Sequence, residues 1–187
     1  MTTFYLVRHA HAQWAPDEMR SLSARGRADA RRVADILIRY PVNLIVASPY
    51  NRARETVTPL ATPLGLPVYI QPDLRERRLS GNPVSAETFT AAVRATWQDP
   101  TFAHPGGEPN AAAQQRGVAV VTMLQTTHPG ASIVVGTHGN LLALILQHFD
   151  PTIDFNLWRR LTMPDIYRLH LDPGTPPAIS RLWQDEQ

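Results

Sequence analysis

Short, dense apolar runs alternate along the chain with longer stretches in which apolar residues recur every three or four positions. Residues 4–7 form the first run and are rich in strand formers. Residues 22–39 follow with Ala28, Val33, Ile36 and Leu37 at helical spacing, behind Ser23, a residue suited to an N-cap. The pair then repeats. Residues 44–47 read as a buried strand, Ser48 and Pro49 break it, and residues 52–64 read as a helix that ends around Pro63 and Gly65. A third strand is predicted over 68–70. After an interruption the rhythm resumes with a helix over 110–127, a β-branched run over 132–135 and a helix over 140–149. Weaker strand patterns at 166–171 and 178–182 flank the turn formers Asp172, Pro173 and Gly174.

Strands and helices in alternation, with no internal repeat, predict an α/β fold. The interruption, residues 71–110, carries five prolines and one predicted helix, 85–97. It reads as an insertion over one end of the sheet, where lids and specificity loops reside. The 187 residues fit one domain spanning 1–187.

Composition removes several chemistries. The chain has no cysteine, so disulfides, thiolate metal sites and a cysteine nucleophile are excluded. It also has no lysine: all 18 basic residues are arginine. P-loop, Schiff-base and pyridoxal phosphate chemistry each need a lysine and fall away. A net charge of +2 with dispersed arginines gives no nucleic-acid footprint. No apolar run approaches the roughly 18 residues that cross a bilayer, and the amino terminus lacks a basic leader, so the expected location is the cytoplasm.

Ligands in an open α/β sheet gather at the carboxyl ends of strands. Arg8, His9, Ala10 and His11 follow the first predicted strand, Ser48 to Ala53 with Arg52 follow the second, and Thr137, His138, Gly139 and Asn140 follow the fourth. Two histidines and two arginines meeting at one edge suit a phosphoryl group: guanidinium groups spread over its oxygens while a neutral imidazole attacks phosphorus. Glu76, just after the third strand, is placed to protonate a departing alcohol and then to activate water.

These residues resemble the motifs of the histidine phosphatase superfamily, the phosphoglycerate-mutase-like proteins. The family's Arg-His-Gly is similar to Arg8-His9-Ala10, its Ser-x-x-x-Arg-Ala-x-x-Thr to the run from Ser48 through Arg52 and Ala53 to Thr56, and its later His-Gly to His138-Gly139. The acid of its Leu-x-Glu corresponds to Glu76. Leu22, Ser23 and Gly26 resemble its Leu-Thr-x-x-Gly helix start, Gly106-Gly107-Glu108 its Gly-Gly-Glu, and Asp165-Ile166-Tyr167 its closing strand.

The resemblance implies a three-layer α/β/α sandwich with a small lid and a phosphatase that hydrolyses phosphate monoesters. His9 would be the nucleophile, Arg8, Arg52 and His138 the phosphate ligands, and Glu76 the general acid and base. Gly139 and Asn140 would border the substrate, a small phosphorylated metabolite. No metal or organic cofactor is implied, and no nucleic acid or membrane partner.

Three departures accompany it. Ala10 stands for the usual glycine, a change that suits negative φ and would strain a left-handed turn; Ala15 stands for a frequent asparagine; Ser80 replaces a glycine. The remaining histidines, His11, His104, His128, His148 and His170, read as solvated or packed, with His11 at the site's mouth if the first strand continues. Arg54, Arg75, Arg77 and Arg78 read as surface or ion-pair residues, Gly106 and Gly107 as a turn, and Trp14 as core or rim. Three alternatives stay open: a phosphoglycerate mutase; a metallohydrolase using His9, His11 and His138 with a carboxylate; and a non-catalytic phospholigand-binding protein.

Overall fold

The computed structural model describes residues 1–13, 15 and 18–184. Six strands form one sheet: β1 (Thr2–Arg8), β2 (Leu44–Ala47), β3 (Val68–Ile70), β4 (Ser132–Thr137), β5 (Asp165–Leu171) and β6 (Ala178–Arg181), in the order β3-β2-β4-β1-β5-β6. The first four are parallel, and β5 and β6 join antiparallel at the β1 edge.

Alternation along β1 divides the core. Phe4 and Leu6 belong to one buried cluster, with Val120, Leu124, Leu142 and Ile145 of helices α4 (Asn110–Thr127) and α5 (Gly139–Phe149). Tyr5 and Val7 belong to the other, with Val33, Leu37, Val57 and Leu60 of helices α1 (Ala24–Leu37) and α2 (Asn51–Leu64). A period of two on a sheet buried on both faces therefore makes three layers, α/β/α, as expected.

Local signals set the helix ends. The Ser23 hydroxyl accepts from Gly26 N at 3.0 Å at the start of α1. Gly65, at φ 63°, ends α2 in a left-handed cap. The buried stripe of α1 is Ala30, Val33, Ala34 and Leu37, and Ala28, read from the sequence as part of it, is exposed.

Between β3 and α4 the chain makes a single 3-10 turn, Pro72–Leu74, then a loop, then helix α3 (Ala86–Gln98). A further helix, α6 (Phe155–Arg160), leaves no mark in the hydrophobic pattern. Its six residues are too few to display a period, and its signal is local: Asp154 caps it by accepting from Asn156 N at 2.8 Å. Among the described residues no helix is long and apolar enough to cross a membrane.

Candidate active site

Adjacency in the sheet assembles the site. Because β2, β4 and β1 are parallel neighbours, the residues beyond their carboxyl ends lie side by side. His9 N bonds Thr137 O at 2.9 Å, Ser48 N bonds Gly136 O at 2.8 Å, and His138 sits between Ser48 and His9. The two imidazole rings meet edge to face with centroids 5.2 Å apart.

Ser48, Arg52 and Thr56 of the 48–56 motif each have a distinct partner. Ser48 Oγ lies 2.8 Å from His138 Nε2, and Arg52 Nε donates to His9 Nε2 at 3.2 Å. Thr56 Oγ1 accepts from Ala10 N at 2.9 Å and donates to Arg52 O at 2.7 Å, tying the loop after β1 to the first turns of α2. Ala10 itself is buried, and no described residue other than glycine has positive φ, so the methyl group that replaces the usual glycine carries no left-handed strain.

The two nitrogens of His9 are differentiated. Nδ1 is 2.8 Å from Ala10 O, which can only accept, so Nδ1 carries the proton and Nε2 keeps its lone pair. Burial, with Arg52, Arg8 and Arg20 nearby, holds the His9 pKa down to about 3, and burial likewise keeps His138 well below its ordinary value. Both rings are neutral near pH 7.

A cavity of about 420 Å³ opens beside His9, walled by Arg8, Arg20, Arg52 and Arg77 on its polar side. Arg8 NH1 donates to Leu161 O at 2.8 Å and Thr162 O at 3.1 Å, and Arg52 NH1 to Glu18 O at 2.7 Å. Burial lowers the Arg52 pKa to about 10, leaving it charged at neutral pH. Four donor nitrogens are buried here without a partner: Nε of Arg8, Nε of Arg20, and Nε and NH1 of Arg77. Unpaired buried donors on charged groups are costly, and an anion in the cavity would satisfy them.

Glu76 forms the next part of the wall. Its Oε1 accepts from Arg77 N at 2.8 Å and Leu141 N at 3.1 Å, and Oε2 from Asn140 N at 3.1 Å, which seats the carboxylate on the amino terminus of α5. A second layer fixes it. Glu108 accepts from Arg116 Nε and NH2 at 2.7 and 2.9 Å, and Arg116 NH1 donates to Arg75 O at 2.8 Å, the carbonyl just before Glu76. Gly106 (φ 69°) and Gly107 form the turn that presents Glu108; a Cβ on Gly107 would collide with the Leu79 carbonyl.

Not every residue singled out in the sequence touches the cavity in the same way. His138 is fully buried behind His9 and lies outside the cavity lining, with Nδ1 unpartnered. Gly139 lines the cavity, and a Cβ there would stand 2.9 Å from Arg8 Nε, so its lack of a side chain admits the guanidinium. Asn140 borders the cavity, but its amide is held by Trp97 Nε1 and Asn110 Oδ1 at 3.0 Å each.

His11 reaches the lining although β1 ends at Arg8; a bond of 2.8 Å between its Nδ1 and Ser23 Oγ holds it. Among the described residues no three His, Asp or Glu side chains converge as a metal site would require. Ala15 offers only its carbonyl, to Arg20 NH1 at 3.4 Å, and Ser80 Oγ accepts from Asn82 N at 3.1 Å in the loop. Trp14 lies outside the described residues.

Arg77 requires a correction. Read from the sequence as a surface or ion-pair residue, it is 5% exposed and faces the cavity, because Glu76 N-terminal to it is pinned to α5 and turns the next side chain inward. Arg20 was not singled out at all; a lone arginine in an irregular loop gives no periodic signal.

The histidine phosphatase superfamily (branch 1) family model matches residues 4–183. The chain belongs to this superfamily. Among curated relatives, the glucosyl-3-phosphoglycerate phosphatase of Mycolicibacterium vanbaalenii is 31% identical over 136 residues, 66% of this chain and 60% of the relative. A probable phosphoglycerate mutase, GpmB, of an Enterobacter species is 32% identical over 82 residues, 41% of this chain and 38% of the relative. The chain thus spans about 60% of the length of the first of these relatives. Among solved histidine phosphatase folds, a mycobacterial glucosyl-3-phosphoglycerate phosphatase complexed with VO3 superposes with a TM-score of 0.80 at 22% identity, covering 98% of this chain and 99% of that one. Bacillus stearothermophilus YhfR gives 0.77 at 26% identity, covering 94% of each chain.

Proposed function

We propose that this protein, as one domain with residues 71–110 closing over the site, hydrolyses phosphate monoesters of small metabolites through a phosphohistidine on His9. The observation that carries the reading is the state of His9: Nδ1–H is committed to Ala10 O, so Nε2 keeps a lone pair that, among the described residues, only Arg52 Nε occupies, at 3.2 Å, beside guanidinium nitrogens of Arg8, Arg20 and Arg77 that have no protein partner. Attack requires that Arg52 Nε turn from Nε2 to a phosphoryl oxygen. A neutral nucleophile beside an anion cradle is what attack on a phosphate dianion requires.

In the first step a bond forms between His9 Nε2 and phosphorus while the bond from phosphorus to the leaving oxygen breaks. Arg8, Arg20, Arg52 and Arg77 take the nonbridging oxygens, and Glu76, once it carries a proton, gives it to the departing alkoxide. In the second step the Glu76 carboxylate accepts a proton from water, whose oxygen bonds phosphorus as the nitrogen to phosphorus bond breaks, releasing inorganic phosphate. His138 contributes through Nδ1. Ser48 Oγ accepts from Tyr50 N at 3.3 Å and donates a hydrogen bond to His138 Nε2, so Nδ1 carries the ring hydrogen and is the atom to donate to a phosphoryl oxygen. The name of the Mycolicibacterium relative points to the same reaction class.

Hydrolysis of para-nitrophenyl phosphate by wild type and His9→Ala, each with and without EDTA, tests the reading. Turnover that survives EDTA and vanishes in the variant supports it. Turnover lost to EDTA favours the metallohydrolase, and turnover only after priming with a bisphosphorylated glycerate favours the mutase.

A further inference from the structure

The cavity lining is chemically mixed. Beside its charged groups it carries the apolar residues Leu79, Val93, Phe89, Trp158 and Met163. Phe89 is the anomaly. It is 44% exposed on α3, whose buried residues are Val93 and Thr96, and it takes no part in the sheet-packed core. It stands one turn before Val93, so both side chains fall on the cavity side of the helix.

Trp158 of α6 faces it, with ring centroids 6.2 Å apart and planes inclined at 41°. The tryptophan is held from behind. Its ring stacks on Phe155 at 5.2 Å and 27°, and the Arg94 guanidinium lies over Phe155 at 4.5 Å. Two elements from distant parts of the chain therefore present a braced aromatic surface at the opening of the anion cradle. A phosphoryl group occupies only a fraction of the 420 Å³, and Phe89, Val93, Trp158 and Met163 supply apolar lining for the rest of a substrate.

We infer that the alcohol released by this protein carries a flat apolar group, aromatic or comparably shaped, seated against Phe89 and Trp158. The inference rests on the phosphatase reading and names the substrate class: aryl or arylalkyl phosphate monoesters in preference to phosphates of small polyols. The phosphate end fixes the reacting atom, and the aromatic wall supplies affinity by removing apolar surface from water.

Competitive inhibition of para-nitrophenyl phosphate hydrolysis by two non-hydrolysable probes, propylphosphonate and 3-phenylpropylphosphonate, separates the possibilities on the wild-type protein. The phenyl compound should inhibit at a concentration lower by about 30-fold, the size expected for burying a phenyl ring. In Phe89→Ser, whose residue is exposed and outside the core, and in Trp158→Leu, the ratio should fall below about 5-fold. Equal inhibition by the two probes overturns the inference while leaving the phosphatase reading intact. A large ratio that neither substitution alters overturns the assignment to Phe89 and Trp158. Absence of para-nitrophenyl phosphate turnover defeats the phosphatase reading itself.

Discussion

Arg52 Nε donates to His9 Nε2 across 3.2 Å while its NH1 is anchored on Glu18 O at 2.7 Å, so one guanidinium both holds the His9 ring and borders the cavity proposed to take the phosphoryl group. An ammonium group is a compact point charge and cannot serve two fixed acceptors and a phosphoryl oxygen together. Arg52→Lys should therefore lower kcat/KM by about 100-fold, near the loss of two charge-assisted hydrogen bonds. Steady-state kinetics with a folded variant, verified by circular dichroism, checks this.

Arg77 holds two buried nitrogens without a protein partner, an arrangement that costs stability in the free protein and that a bound anion would satisfy. Arg77→Met should raise the unfolding free energy of the free protein by about 1–3 kcal/mol and weaken inorganic phosphate binding by about 10-fold or more. Thermal unfolding with and without phosphate reads both effects: the variant should start higher and respond less.

The recognisable motifs were legible because each polar residue follows a strand whose apolar run is unmistakable. Parallel strands in one sheet bring such residues to one edge whatever the chain between them does, which is how His9, Arg52 and His138 could be grouped in advance. The 48–56 motif proved richer than its ligand arginine: Ser48 and Thr56 hold His138 and the Ala10 backbone. Arg77 and Arg20 were not legible, since their direction depends on tertiary anchors, Glu76 on the α5 amino terminus for one and the contacts of residues 18–20 with α2 for the other. Helix α6 escaped because six residues cannot show a period, and with it went half of the aromatic wall.

Glu108 and Arg116 touch no cavity atom, yet their paired bonds at 2.7 and 2.9 Å and the further bond to Arg75 O set the backbone from which Glu76 projects. Removing the carboxylate charge should loosen Glu76, the proposed proton donor, rather than the arginine wall. Glu108→Gln should lower kcat about 10-fold on alkyl phosphates with KM changed less than about 2-fold. A rise in KM at constant kcat would assign Glu108 to substrate binding instead.

Acid stability follows from His9. Its folded pKa of about 3 lies below the ordinary 6.5, so between these values the unfolded chain takes up a proton that the folded protein refuses. The sign is that stability present above pH 6.5 is lost as pH falls toward 3. From pH 7 to pH 5 this one residue should remove about 2 kcal/mol. Urea unfolding of wild type and His9→Asn at the two pH values should show a smaller acid loss in the variant by about that amount.

Accumulation of a phosphorylated enzyme in Glu76→Gln tests the central claim most directly. With para-nitrophenyl phosphate the leaving group needs no proton, so the first step should run while the second, deprived of its base, stalls. Rapid mixing, quenching in base to preserve a phosphoramidate, and mass spectrometry of the digest should reveal one phosphoryl group per chain on His9, with a matching burst of nitrophenol. Nitrophenol release with no phosphorylated residue, or with the phosphoryl group on a residue other than His9, would contradict the account.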